Sequence, residues 1–140
     1  LILLTIDQIS KYLVLTTLIL NNPYPVIKGV FYIRPILNTG GGFGILPGYQ
    51  ALFITASSAA IIFLLVYLVK NKNRDRAVVY GLLFILAGAL GNLIDRVRFD
   101  AVVDFLDFRI WPVFNIADSC ITVGVALLLW TILFSKKVRS

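Results

Sequence analysis

Four apolar stretches, about Leu1–Leu20, Tyr49–Val69, Ala77–Asp95 and Ile116–Phe134, take up more than half of this 140-residue chain and are separated by short polar breaks. Each is near the roughly 20 residues that a helix needs to cross a bilayer, with modest tilt. With 59% hydrophobic and only 14% charged residues, the chain holds more apolar surface than a soluble domain of this size could bury. The expected fold is therefore an all-α membrane protein of four transmembrane helices, forming a single domain over residues 1–140. Leu1–Leu20 carries Asp7 and Lys11 and lacks a small-residue cleavage pattern, so it is expected to be a retained span rather than a secretory signal.

The net charge of +6 is concentrated at the ends of spans, not along an amphipathic stripe. Lys70-Asn-Lys72-Asn-Arg74-Asp-Arg76 and Lys136-Lys137-Val-Arg139 are short and cation-dense, and the positive-inside tendency puts both on the cytoplasmic side. An even number of spans then places both termini inside and the longer Asn21–Gly48 and Arg96–Asn115 connections outside. The first of these holds Pro23, Pro25 and a β-favouring run, Val26–Leu37, expected to form a small extended or hairpin segment between the first two helices at the outer surface. It flanks the second connection and is expected to cover or cradle a substrate.

Several chemistries are excluded by what the chain lacks. There is no histidine and one cysteine, Cys120, so serine-histidine and cysteine-histidine catalysis, Cys/His metal sites and an intrachain disulfide all fall away. Topology accounts for the cations better than nucleic-acid binding does. Asn38-Thr-Gly-Gly-Gly-Phe-Gly44 lacks the Lys-Ser/Thr of a phosphate loop and has no strand–helix nucleotide fold around it. Trp111, Trp130 and Tyr12 suit interfacial anchoring, and Trp111 could alternatively touch a substrate. Cys120 reads as a small buried residue.

All seven acids are aspartates, and only Asp75 sits in the cytoplasmic loop. An ionisable group within or at the edge of a span is a functional candidate by default. Asp104 and Asp118 flank the outer turn between the third and fourth spans, where the ends of antiparallel helices lie side by side and two carboxylates could converge. A converged pair would share one proton and could activate water and protonate a leaving amine. The spacing alone equally allows Asp118 to be a helix-capping or first-turn acid and Asp104 a solvated loop residue. Asn92 and Arg96, four apart on one helix face, could line the same outer region, or serve as an interhelical hydrogen bond and a snorkelling cation. Asp95 lies about 100° away from them round the helix and is expected to pair with a nearby cation. Asp7 and Lys11, one turn apart, read as an intrahelical structural ion pair.

Five words occur in order: Asp7-Gln-Ile-Ser-Lys11, Asn38-Thr-Gly-Gly-Gly-Phe43, Gly91-Asn-Leu-Ile-Asp-Arg96, Val102-Val-Asp-Phe105 and Phe114-Asn-Ile-Ala-Asp-Ser119. Together they resemble the prolipoprotein (type II) signal peptidase family, aspartyl peptidases of the bacterial cell membrane. The resemblance implies that Asp104 and Asp118 are the catalytic carboxylates, with Asn38, Asn92, Arg96 and Asn115 in support. It also implies cleavage of a signal peptide just before a cysteine carrying a diacylglyceryl group, near the outer face, by water and without metal or organic cofactor. The expected partners are a lipid-modified prolipoprotein and membrane lipid, with no nucleic acid. The family's commoner form has alanine where Gly41 and Gly42 stand here.

Two rival classes make different demands. A proton-coupled transporter would carry its essential acid near the bilayer midplane, whereas the two candidate acids lie near the outer ends of spans. A non-catalytic assembly protein held by ion pairs would leave the five ordered words unexplained.

Overall fold

In the computed structural model, which describes residues 1–41, 45–71 and 75–134, four helices and three short strands follow the order α1 (Ile2–Thr17), β1 (Tyr24–Ile27), β2 (Phe31–Asn38), α2 (Gln50–Lys70), α3 (Arg76–Phe99), β3 (Val102–Asp107) and α4 (Ile116–Phe134). Among the described residues three helices, α2, α3 and α4, are long and apolar enough to cross a membrane, with mean hydropathies of 2.5, 2.1 and 2.0. Their large side chains point outward, Ile62, Phe63, Val69 and Leu133 among them, as expected where lipid is the solvent. Gly42 and the cations Lys72, Arg74, Lys136, Lys137 and Arg139 lie outside the described residues.

The first helix is shorter than the span read from sequence. It covers 16 residues, about 24 Å at 1.5 Å per residue. Leu18 is already extended, although its N–H still bonds the Val14 carbonyl at 3.1 Å, and Asn21 turns the chain with φ 63° ahead of Pro23. The third helix is longer than expected and runs on to Phe99. Asp75 caps its start by accepting from the Ala77 N–H at 3.0 Å, and Asp100, left-handed at φ 52°, ends it with an N–H bond to the Arg96 carbonyl.

That left-handed residue reverses the chain, so Val102–Asp107 runs back as a strand. Asp104, expected to flank the outer turn beside the end of a helix or to be a solvated loop residue, is thus a buried strand residue, and the two acids meet through β3 and the start of α4 rather than through adjoining helix ends. β3 pairs antiparallel with β2, Ile36 facing Asp104 and Asn38 facing Val102, and β1 adds to the far side of β2. The expected outer hairpin is thus β1 and β2, extended by a strand from the second connection. Ala101 through Phe105 are buried, and the Asp95 carboxylate holds the Val103 N–H at 3.1 Å, which fixes β3 against α3.

Ile61 and Leu64 of α2 pack on Leu82 and Leu86 of α3 to form the apolar core. α3 and α4 lie close together at Gly88 and again where Gly81 faces Gly124. A Cβ at Gly88 would run into the Ala117 carbonyl oxygen and sit 2.7 Å from Ile121 Cγ1. Small-residue contact of this kind is how helices associate where no hydrophobic drive exists between them.

Candidate active site

Asn115 precedes the first residue of α4 and acts as its N-cap. Its Oδ1 accepts from the Asp118 N–H at 2.8 Å, while the Asp118 carboxylate reaches back to the Asn115 N–H at 3.3 Å. This is a reciprocal capping box, worth about 1 kcal/mol for the cap. Asp118 is therefore a first-turn acid, one of the two positions its spacing allowed, and it also faces the cavity described below. The cap is brought to β3 because Phe114 and Leu106 exchange backbone hydrogen bonds of 2.8 and 3.1 Å.

From that position Asn115, fully buried, shares the two hydrogens of Nδ2 among Asp104 Oδ1 at 2.7 Å, Asn92 Oδ1 at 3.1 Å and the Val103 carbonyl at 3.2 Å. The other Asp104 oxygen accepts from Asn38 Nδ2 at 3.0 Å. Register explains that contact. Asp104 lies opposite Ile36, so Asn38, two residues further along β2, is its diagonal neighbour on the same sheet face. Asn38 is itself pinned, because its Oδ1 accepts from the Gly40 N–H at 2.9 Å. Gly41 lies under the ring of Phe53, where a Cβ would come within 2.7 Å of Phe53 Cε1. The Gln50 side chain donates to the Thr39 carbonyl and ties this turn to α2.

On α3, Asn92 Nδ2 donates to Asp118 Oδ1 at 2.8 Å. The two predicted carboxylates are thus joined through two amides, Asp104 to Asn115 to Asn92 to Asp118. Arg96, one turn along, is buried with its guanidinium 5.2 Å from the Phe53 ring centroid, and its Nε has no hydrogen-bond partner. A buried donor without a partner costs about 1–3 kcal/mol, which a ligand acceptor would recover.

Asp7 and Lys11 form the predicted ion pair at 2.9 Å, and Asp95 completes it, 2.7 Å from the same ammonium. All three are almost fully buried. The cation predicted for Asp95 is therefore Lys11, on a different helix. Asp7 also accepts from the Ala117 N–H at 2.8 Å, and Gln8, which the sequence reading passed over, donates to Asp7, Asp95 and the Gly91 carbonyl. Gly91 makes room for this cluster, since a Cβ there would stand 2.5 Å from Asp7 Oδ2.

Asn38, Asn92, Arg96, Asp104 and Asp118 line one cavity of about 590 Å³. Its other walls were not anticipated: Ala56, Ser57 and Ala60 from α2, and the Pro112–Phe114 segment ahead of α4, with Trp111 at the rim. The run of small residues from Ala56 to Ala60 in an otherwise bulky span was the available signal. Asp107, by contrast, turns away from the cavity and pairs with Arg34 and Arg109 at 3.3 and 3.4 Å. No group of three or more metal-ligating Cys, Asp or Glu side chains occurs among the described residues.

Burial, followed by the neighbouring negative charge of Asp118, pushes the Asp104 carboxyl up to about 7, against the lowering effect of its hydrogen bonds from Asn38 and Asn115. Near neutral pH both the protonated and the ionised form of Asp104 are therefore accessible, beside a second carboxylate held at a helix N-terminus.

Residues 1–134 match the family described as signal peptidase (SPase) II, Peptidase_A8. The chain is 46% identical over 138 residues to the lipoprotein signal peptidase of Halothermothrix orenii, covering 99% of this chain and 94% of that one. It is 44% identical to that of Pelotomaculum thermopropionicum over 143 residues, with the same coverage of each. A solved structure described as a bacterial membrane enzyme superposes with a TM-score of 0.92 at 33% identity, covering 99% of this chain and 87% of that one. With sequence and fold in agreement over nearly its whole length, the chain belongs to the signal peptidase II family.

Proposed function

We propose that residues 1–140 act as one integral membrane domain that removes the signal peptide from diacylglyceryl-modified prolipoproteins, cleaving before the lipid-modified cysteine. Asp104 and Asp118 are its catalytic pair. The observation that carries this reading is the joining of the two carboxylates, through Asn115 and Asn92, at the wall of a single cavity.

In this mechanism Asp118 is the ionised partner. It accepts from Asn92 and from the Asn115 N–H, and it sits in the first turn of α4, where the helix dipole favours negative charge. It takes a proton from water as the water attacks the scissile carbonyl. Asp104, protonated, then delivers a proton to the departing amine nitrogen. Arg96, with a free donor, and Asn92 are placed to hold substrate carbonyl oxygens as negative charge builds on them. Asn38 and Asn115 keep the Asp104 carboxyl oriented.

The four helices cross the membrane with both termini in the cytoplasm and the cavity near the outer face. The sheet supports that side of the site, since β2 carries Asn38 and β3 carries Asp104. The substrate's lipid stays in the bilayer while its peptide bond reaches the cavity. Incubating purified protein with a lipid-modified prolipoprotein and, separately, with the unmodified precursor tests the reading. Cleavage of only the former is expected, and equal cleavage of both would refute the lipid requirement.

A further inference from the structure

Lys11 is more than the counter-ion of Asp7. Its ammonium has three donor directions, and three acceptors surround it: Asp7 Oδ2 at 2.9 Å, Asp95 Oδ2 at 2.7 Å and Asn92 Oδ1 at 3.1 Å. Only the third contact leads to the cavity. A carboxamide has two nearly isosteric ends, and Asn92 could present either one to Asp118. Turned round, it would aim its NH₂ at the Lys11 ammonium and its oxygen at the Asp118 carboxylate, so both contacts would become repulsive. The same flip would remove the acceptor that Asn115 Nδ2 uses at 3.1 Å.

We propose that Lys11 is a positioning residue for the reaction: by donating to Asn92 Oδ1 it fixes the Asn92 amide with its NH₂ toward Asp118, and so sets the direction of the Asp118–Asn92–Asn115–Asp104 relay. This rests on the assignment of Asp104 and Asp118 as the catalytic pair. The two buried carboxylates that flank Lys11 have a separate part. They hold the ammonium where water is scarce, and the cluster of Asp7, Lys11 and Asp95 carries a net single negative charge.

The test separates the Asn92 contact from charge compensation. Lys11→Met alone would strand two buried carboxylates, and loss of one partner from such a cluster can abolish folding. In the Asp95→Asn background Lys11→Met strands one buried carboxylate, Asp7, rather than two, and the same positive charge is lost whether or not Asn92 is present, so charge compensation cancels from the comparison. Four proteins form a cycle: Asp95→Asn, Asp95→Asn/Lys11→Met, Asp95→Asn/Asn92→Ala and the triple variant. Each is compared for kcat, KM and thermal midpoint at equal amounts of folded protein.

With Asn92 present, loss of Lys11 should lower kcat roughly tenfold or more, as expected for one hydrogen bond in a charged network, with KM nearly unchanged. With Asn92→Ala in place, the same loss should change kcat by at most about threefold, because the hydrogen-bonded route from Lys11 to Asp118 is already cut and only the charge of Lys11 still acts. Thermal midpoints should fall in both backgrounds. Equal drops in kcat in both backgrounds would overturn the proposal and leave Lys11 a structural ion-pair member. Asp104→Asn and Asp118→Asn run alongside: activity in either would instead defeat the catalytic pair itself.

Discussion

Removing Asn38 probes how the sheet tunes the site. In the parent, Asn38 Nδ2 donates to Asp104 Oδ2 at 3.0 Å and favours the ionised carboxyl, opposing the burial that holds Asp104 near 7. A hydrogen bond to a charged group is worth about 1.5–3 kcal/mol. Asn38 is only partly buried, so water takes over some of that in Asn38→Ala, and the low end applies. At 1.36 kcal/mol per pH unit, the alkaline limb of the cleavage profile should then move up by about one unit. The plateau rate below the limb should fall, because the carboxyl is less well aimed. Stability gives a second readout. Between 3.8 and about 7 the folded protein holds a proton on Asp104 that the unfolded chain has lost, so stability falls across that window and levels off above it. In Asn38→Ala the fall should continue to about pH 8. Initial rates on a lipid-modified prolipoprotein from pH 5 to 9, with thermal midpoints in the same buffers, provide both. An alkaline limb that stays in place or moves down would refute the reasoning.

Other perturbations test the remaining parts of the account. Gly88→Ala puts a methyl on the Ala117 carbonyl, so α3 and α4 must separate; a loss of about 1–3 kcal/mol and a lower rate per folded molecule are expected as the 2.8 Å Asn92–Asp118 bond lengthens, and an unchanged thermal midpoint and rate would contradict the close approach. Asp107→Asn weakens the buried pairing with Arg34 and Arg109 and should cost about 1–2 kcal/mol in thermal unfolding, yet retain substantial activity at equal folded protein. Asp100→Asn, at a left-handed position that asparagine accepts, should leave both nearly unchanged by the same assays. Cysteine labelling at Asn71, beside the end of α2, should succeed only from the cytoplasmic side; labelling only from outside would invert the proposed orientation.

Much of this arrangement was legible from residue type and local spacing. Helices α2, α3 and α4 follow from apolar length, while α1, read as a span of about 20 residues, is a helix of 16; the Asp7–Lys11 pair and the shared face of Asn92 and Arg96 follow from the helical repeat. The β1–β2 hairpin was signalled by β-branched and aromatic residues after two prolines. What stayed hidden depends on contacts between distant segments. β3 is six residues buried almost throughout, so it shows no clear inside-outside alternation, and only its pairing with β2 makes it a strand. The link from Lys11 to Asp95 and Asn92 depends on how α1 is rotated against α3, which no local pattern encodes. Asp118 shows that two readings of one residue need not compete. The capping box that starts α4 also holds its carboxylate toward the cavity.

The central claim is that Asp104 and Asp118 act as one catalytic unit. Asparagine matches aspartate in size but can neither ionise nor carry the shuttled proton, so each replacement tests chemistry with little change of shape. Cleavage of a lipid-modified prolipoprotein by Asp104→Asn, Asp118→Asn and the double variant, at equal amounts of membrane-inserted folded protein, is the direct measurement. Each single variant should lose essentially all activity, and the double should lose little more than either, because a dyad acts as a unit. Cleavage at near the parent rate by either single variant would contradict the two-aspartate mechanism.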